Sequence, residues 1–190
     1  MERCRLAAER EEVAIMEMAV VAPVLAVLSV VAATGSLLIL VAVGAPGAVG
    51  LRRLVLQRGQ WMAFAVALTA TLGSLYFSEI AGLPPCEFCW FQRICMYPLA
   101  VVLLIGLVKR DEGAWQYAVA LAAIGLLFSL YHYQLELFPE QKTFCTSAVP
   151  CSARLVNEFG FISLAFMAGA GFTSVLALAG ARWRARRIEA

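Results

Sequence analysis

Long apolar runs separated by short polar connections dominate the chain, and their lengths set the architecture. Apolar stretches occupy Met18 to Val43, Trp61 to Ala81, Phe91 to Val108, Trp115 to Leu135 and Phe161 to Ala179. Each falls in the range of roughly 17 to 26 residues that a helix needs to cross a bilayer. The pattern predicts an all-α polytopic membrane protein, a four-helix bundle preceded by one extra N-terminal transmembrane helix. It divides as residues 1–60, tail and extra helix, and residues 61–190, the four-helix membrane domain. Small residues recur in the first and last spans (Ala32, Ala33, Gly35, Ser36; Ala168, Gly169, Ala170, Gly171). They permit close helix approach where lipid supplies no hydrophobic drive between helices.

Composition agrees. Of 190 residues, 62% are hydrophobic and 15% charged, and the mean hydropathy is +0.82, too little polar surface to cover a soluble globule. The net charge of +2 is uninformative, and nothing points to nucleic acid. The distribution of charge says more. Arg52, Arg53 and Arg58, then Lys109 and Arg110, then Arg182, Arg184, Arg186 and Arg187 occupy alternate connections. The positive-inside rule places those three segments in the cytoplasm. The N-terminus and the segments Gly82 to Trp90 and Glu136 to Gly160, which hold most of the acids, then face the extracytoplasmic side of the membrane. The first span has a net acidic leader, a long apolar run and no small-residue cleavage site, so it is read as retained rather than as a signal peptide. Met16 and Met18 are alternative starts that would remove the acidic tail and Cys4.

The outside segments carry the chemistry. The stretch CEFCWFQRICMYP, from Cys86 to Pro98, follows Pro84 and Pro85 and enters an apolar helix. A C-x-x-C at a helix start lets two sulfurs bond, while unpaired backbone N–H groups and the helix dipole favour a thiolate. Cys86, Cys89 and Arg93 stand at i, i+3 and i+7, on one helical face, so a fixed positive charge lies near the sulfurs. The alternative for Arg93 is an interfacial anchor with its head among phosphates. Cys95 lies about 120° off the Cys89 face and reads as packing; Cys4 sits in a tail on which the sequence is silent. Cys145 and Cys151 enclose TSAVP and can form a disulfide. Spacing alone leaves structural staple and redox pair equally open, and a second pair on the same side favours exchange between them. His132, between Tyr131 and Tyr133, either bonds the headgroup layer or serves a site.

The segment PCEFCWFQRICMYPL resembles the first active-site loop of the DsbB and BdbC quinone-dependent thiol oxidases. Tyr131 to Phe138 ending at Pro139, with His132, is similar to their third core helix, and CSARLVNEFGFIS from Cys151 to the entrance of the last. The likeness spans Trp61 to Ala179. It departs from the usual pattern in the extra first helix, in the short second loop, and in Ser163, Leu164 and Ala165 where short-loop relatives often have a proline. The resemblance implies a thiol:quinone oxidoreductase that reoxidises a DsbA-like thioredoxin-fold partner. Electrons would pass from Cys145 and Cys151 to Cys86 and Cys89, with Cys89 the thiolate facing a quinone drawn from the membrane pool, either ubiquinone or menaquinone. A quinone is flat, apolar and rimmed by two carbonyls, so it wants apolar walls and a few donors; Arg93, Gln92 and His132 are the candidates, beside Cys89.

Two other readings use the same residues. A vitamin K epoxide reductase relative would carry its loop cysteines before the C-x-x-C helix, whereas here they follow it. A four-thiolate metal site from Cys86, Cys89, Cys145 and Cys151 would have an unusually wide C-x₅-C spacing and an opposing arginine.

Overall fold

The computed structural model describes residues 2–141, 143, 145 and 149–189, with side chains from Met18 onward. The Cys4 side chain, the N-terminal acids and Thr146 to Ala148 of the TSAVP loop lie outside the described residues. Five helices follow in order: α1 (Glu2–Ala42), α2 (Val49–Leu75, continued by a π-helical turn over Tyr76–Ile80), α3 (Glu87–Lys109), α4 (Ala114–Leu137) and α5 (Leu164–Glu189). All five contain a segment long and apolar enough to cross a membrane, and the chain is a multi-pass membrane protein. Among the described residues the only β pairing is an isolated bridge between Glu158 and Ile162.

The helix ends have local causes. The Cys86 sulfur accepts the Cys89 N–H at 3.3 Å and so caps α3, while Arg110 closes it in the left-handed region at φ 54°. Helix α2 begins at Val49, well before Trp61. Its first turns carry Arg52, Arg53 and Arg58, which sit well in a helix but break an apolar run. The 60/61 boundary therefore falls inside α2. Helix α5 begins at Leu164 rather than Phe161, because Phe159 (φ 52°) and Gly160 (φ 80°) turn the chain back on itself. Ser163 Oγ then accepts the Phe166 N–H at 3.2 Å, an N-cap where a proline was the familiar alternative.

Helices α2, α3, α4 and α5 form a closed ring in which each packs on the next, and α1 lies outside it, along α5. Leu99, Leu103, Trp115, Phe172, Val175 and Leu178 fill the centre of the ring. Gly125 admits the Phe172 ring so closely that a Cβ would overlap it. On α1 the inward stripe is small, with Ala22, Ala26 and Ser36 buried, while Val24, Val31, Leu38 and Val41 face outward. The end away from the cysteines is tied by charge: Arg52 lies 3.9 Å from Glu189, and Arg182 and Arg186 both pair with Glu112.

Candidate functional site

The four loop cysteines meet at one end of the ring. Cys145 and Cys151 form a disulfide with Cα atoms 6.2 Å apart, and Cys86 and Cys89 are free thiols with sulfurs 2.8 Å apart. Cys86 and Cys151 are buried in one cluster with Phe88 and Leu135, against which Cys89 and Cys145 pack. The bonded pair thus lies beside the free pair, as exchange requires. Cys95 packs in the main core among Met96 and Leu99.

Donors converge on Cys86. Its sulfur receives the Cys89 N–H at 3.3 Å and stands 3.5 Å from His132 Nε2. Hydrogen bonding from the Cys89 thiol, then from His132, brings the Cys86 thiol from its ordinary value down to about 4, against the opposing effect of burial. The helix N-terminus acts in the same direction. The capping position gathers these donors and so favours charge on Cys86; Cys89, which the resemblance makes the thiolate facing a quinone, lies one turn on with its sulfur 2.8 Å away.

His132 is itself held in place. Phe88 stacks on its ring with centroids 5.8 Å apart and planes at 28°. Glu136, one turn on, brings Oε1 to 3.9 Å from His132 Nε2, and both side chains are almost wholly buried. Arg154 approaches the other Glu136 oxygen at 4.0 Å, and the Ser163 hydroxyl also bonds this carboxylate. Cys86 Sγ and Glu136 Oε1 thus face the same nitrogen, Nε2, of a buried imidazole, so that nitrogen can pass a proton from thiol to carboxylate, a route by which a thiol proton can leave.

On the other side of Cys89 opens a cavity of about 300 Å³. Its walls are mainly apolar, from Leu25, Ala70, Phe77, Pro85, Met96 and Met167 among others. The polar groups at its outer end are Cys89, Gln92, Arg93 and Ser74. Arg93 is anchored rather than snorkelling freely: Nε donates to Ser74 Oγ at 3.1 Å and Nη2 to Ser74 O at 3.3 Å. Its guanidinium carbon lies 5.3 Å from the centroid of Trp90. Ser74 also meets the Tyr97 hydroxyl at 3.2 Å. The π turn begins two residues later, a widening often found beside functional sites. Gln92 Nε2 donates to Ser129 Oγ at 3.2 Å.

Of the sequence-predicted donors, Arg93 and Gln92 line the large cavity with Cys89, and His132 does not. His132 instead lines a small cleft with Cys86, Cys89 and Glu136. Cys89 borders both. Cys86 Sγ, Cys89 Sγ and a His132 ring nitrogen lie within 4.8 Å of one another, near enough for a metal ion. The four-thiolate set does not assemble, since Cys145 and Cys151 are bonded to each other. Sequence reasoning missed Ser74, Glu136, Arg154 and Ser163 as members of the site. Only Glu136 carried a signal, as a carboxylate at i+4 from a histidine near the end of an apolar run.

Comparison with known proteins follows the same outline. The family profile described as "Disulfide bond formation protein DsbB" matches residues 57–183. "Probable disulfide formation protein C" of Halalkalibacterium halodurans is 44% identical over 126 residues, covering 63% of this chain and 87% of that protein. "Disulfide bond formation protein C" of Bacillus subtilis is 42% identical over 126 residues, covering 65% of this chain and 89% of that protein. No solved structure matches the chain.

Proposed function

The chain belongs to the DsbB family of disulfide bond formation proteins, and from that premise we propose that it is a thiol:quinone oxidoreductase that reoxidises a DsbA-like thioredoxin-fold protein. The coarser statement, a disulfide-generating oxidoreductase of the membrane, follows from the family. The observation that carries the finer one is the position of Cys89, which borders both the cleft holding Cys86 and His132 and the apolar cavity holding Arg93.

Two exchanges precede the membrane step. A partner thiolate attacks Cys145, and the partner's second thiol resolves the mixed disulfide, so the partner leaves oxidised and Cys145 and Cys151 become thiols. Cys151 then attacks Cys86 of an oxidised Cys86–Cys89 bond. Resolution by Cys145 restores the loop disulfide and leaves Cys86 and Cys89 reduced. Which cysteine attacks within each pair is carried over from the family resemblance. This direction of flow is that of the bacterial periplasm, kept oxidising by DsbA, DsbB and quinone.

The cavity fits a quinone in kind: apolar walls for a flat ring, and a fixed guanidinium and an amide for carbonyl oxygens. Arg93 and Gln92 would hold such a ring beside Cys89, with His132 acting from the thiol side. A bound quinone supplies a two-electron, two-proton acceptor. Cys89 presents its sulfur at the cavity wall, and Cys86, held as thiolate, is placed to close the S–S bond. His132, whose Nε2 also faces Glu136, takes the proton that Cys86 gives up. The cysteine end faces outside the cytoplasmic membrane and the arginine-rich end faces in.

The test uses protein purified in mild detergent, mixed with a reduced thioredoxin-fold oxidase and ubiquinone-1 or a short-chain menaquinone. Quinone absorbance should fall in step with formation of the partner disulfide, and organic extraction should recover quinone from the purified protein. Partner oxidation that proceeds without quinone consumption, together with an empty extract, would sink the reading.

A further inference from the structure

Helix α1 lies upstream of the family-matched segment, which begins at residue 57, yet the cavity beside Cys89 is incomplete without it. Leu25, Leu28, Ser29 and Ala32 form one of its walls, opposite residues from α2, α3 and α5. We infer that α1 is part of the quinone-binding site, the wall that encloses the ligand next to Cys89 and sets how tightly it is held. This rests on the quinone reading above and extends it to a helix the family does not account for.

Three features make α1 a built wall. First, it is closely seated at the level of the polar groups. Leu25 covers Gly73 so closely that a Cβ there would come within 3.0 Å of Leu25 Cδ1, and the next residue, Ser74, anchors Arg93. Ala22 and Ala26, 2% and 0% exposed, let the helix approach the bundle at this height. Second, the wall is apolar despite its serine, because Ser29 Oγ donates back to Ala26 O at 2.7 Å. A flat ring with two apolar faces needs such a surface on each side. Third, the inner part of α1 is fixed. Leu40 packs on Gly180 of α5, where a Cβ would meet Leu40 Cδ1 at 3.2 Å, and Val43 is buried with Val55, Ala181 and Ala185. The cavity side of α1 is lined by short residues at Ser29 and Ala32, which leave room that longer side chains would fill.

The test compares full-length variants by their affinity for ubiquinone-1, read from quenching of tryptophan fluorescence in detergent, and by the quinone that copurifies per chain. Ala32→Phe places a ring in the cavity; Val31→Phe places the same ring on the outward face of the same helix, where Val31 is 60% exposed. Ala32→Phe should weaken binding at least tenfold and lose the copurifying quinone, with Val31→Phe close to wild type. Should Ala32→Phe fail to fold, Leu25→Ala opens the wall with a smaller side chain and should weaken binding several-fold. Wild-type affinity in Ala32→Phe, or in Leu25→Ala where that variant stands in, overturns the inference, as does equal weakening in Val31→Phe. Absence of quinone binding by the unaltered protein removes the underlying reading and this inference together, a result distinguishable from the others because no variant is needed to see it.

Discussion

His132 Nε2 stands 3.5 Å from Cys86 Sγ, a contact across 46 positions of sequence that joins α4 to the cap of α3. It makes Cys86 more than the first half of a C-x-x-C. The sulfur sits where a helix dipole, a neighbouring thiol and an imidazole all favour its charged form.

The first prediction concerns that charge. A thiol held down to about 4 is thiolate at every pH above that value, and losing a donor moves the onset of reactivity upward. Cys89→Ala removes the largest cause and should raise the midpoint of Cys86 alkylation most, with His132→Phe raising it less. Each unit of rise corresponds to about 1.4 kcal/mol of lost thiolate stabilisation. The pH profile of iodoacetamide labelling, read on the Cys86 peptide after reduction, measures both. An ordinary thiol profile in the unaltered protein would contradict the arrangement.

The two cysteine pairs should have different customers. Serine at Cys145 or Cys151 should stop oxidation of the protein partner while quinone reduction driven by dithiothreitol continues in part, since Cys86 and Cys89 remain. Equal loss of both activities would mean that the pairs do not act in sequence.

Arg93 is gripped by Ser74 through Nε and Nη2 at 3.1 and 3.3 Å, a geometry that depends on a planar fork. Arg93→Lys keeps the charge and loses the fork, so it should raise KM for quinone nearly as far as Arg93→Met. Ser74→Ala should produce a milder rise. Full rescue by lysine would assign Arg93 a purely electrostatic part, and wild-type kinetics in the methionine variant would reduce it to an interfacial anchor.

Gly125 tests the core. Alanine there drives a Cβ into the Phe172 ring, which is 0% exposed and has nowhere to move. Overpacking of this kind costs about 1–3 kcal/mol, seen as a lower melting temperature in detergent. Phe172→Leu in the same chain should recover part of the loss.

Orientation is open to direct labelling. Reduced cells treated with a membrane-impermeant maleimide should label Cys145, the less buried member of the loop pair, without lysis. Labelling that appears only after lysis would invert the topology.

Much of this protein was determined by the sequence acting locally. Apolar run length is a one-dimensional property, so the spans, their number and the loops that carry Cys86, Cys89, Cys145 and Cys151 could be read directly. Capping is equally local, which is why a helix beginning at the C-x-x-C was legible. The lateral arrangement was not. In lipid the outward face of a helix is as apolar as the inward one, so Val24 and Ala26 on α1, or Ile94 and Leu99 on α3, carry no periodic mark of which side meets protein. Tertiary structure alone decided that α1 lies along α5 and walls the cavity, that Ser74 grips Arg93, and that Glu136, bonded by Ser163, meets the His132 nitrogen that faces Cys86. These are pairings between helices, set by which small residues allow close approach and which buried polar groups must find partners. The same physics separated the predicted donors, leaving Arg93 and Gln92 on the cavity side of Cys89 and His132 on the side of Cys86.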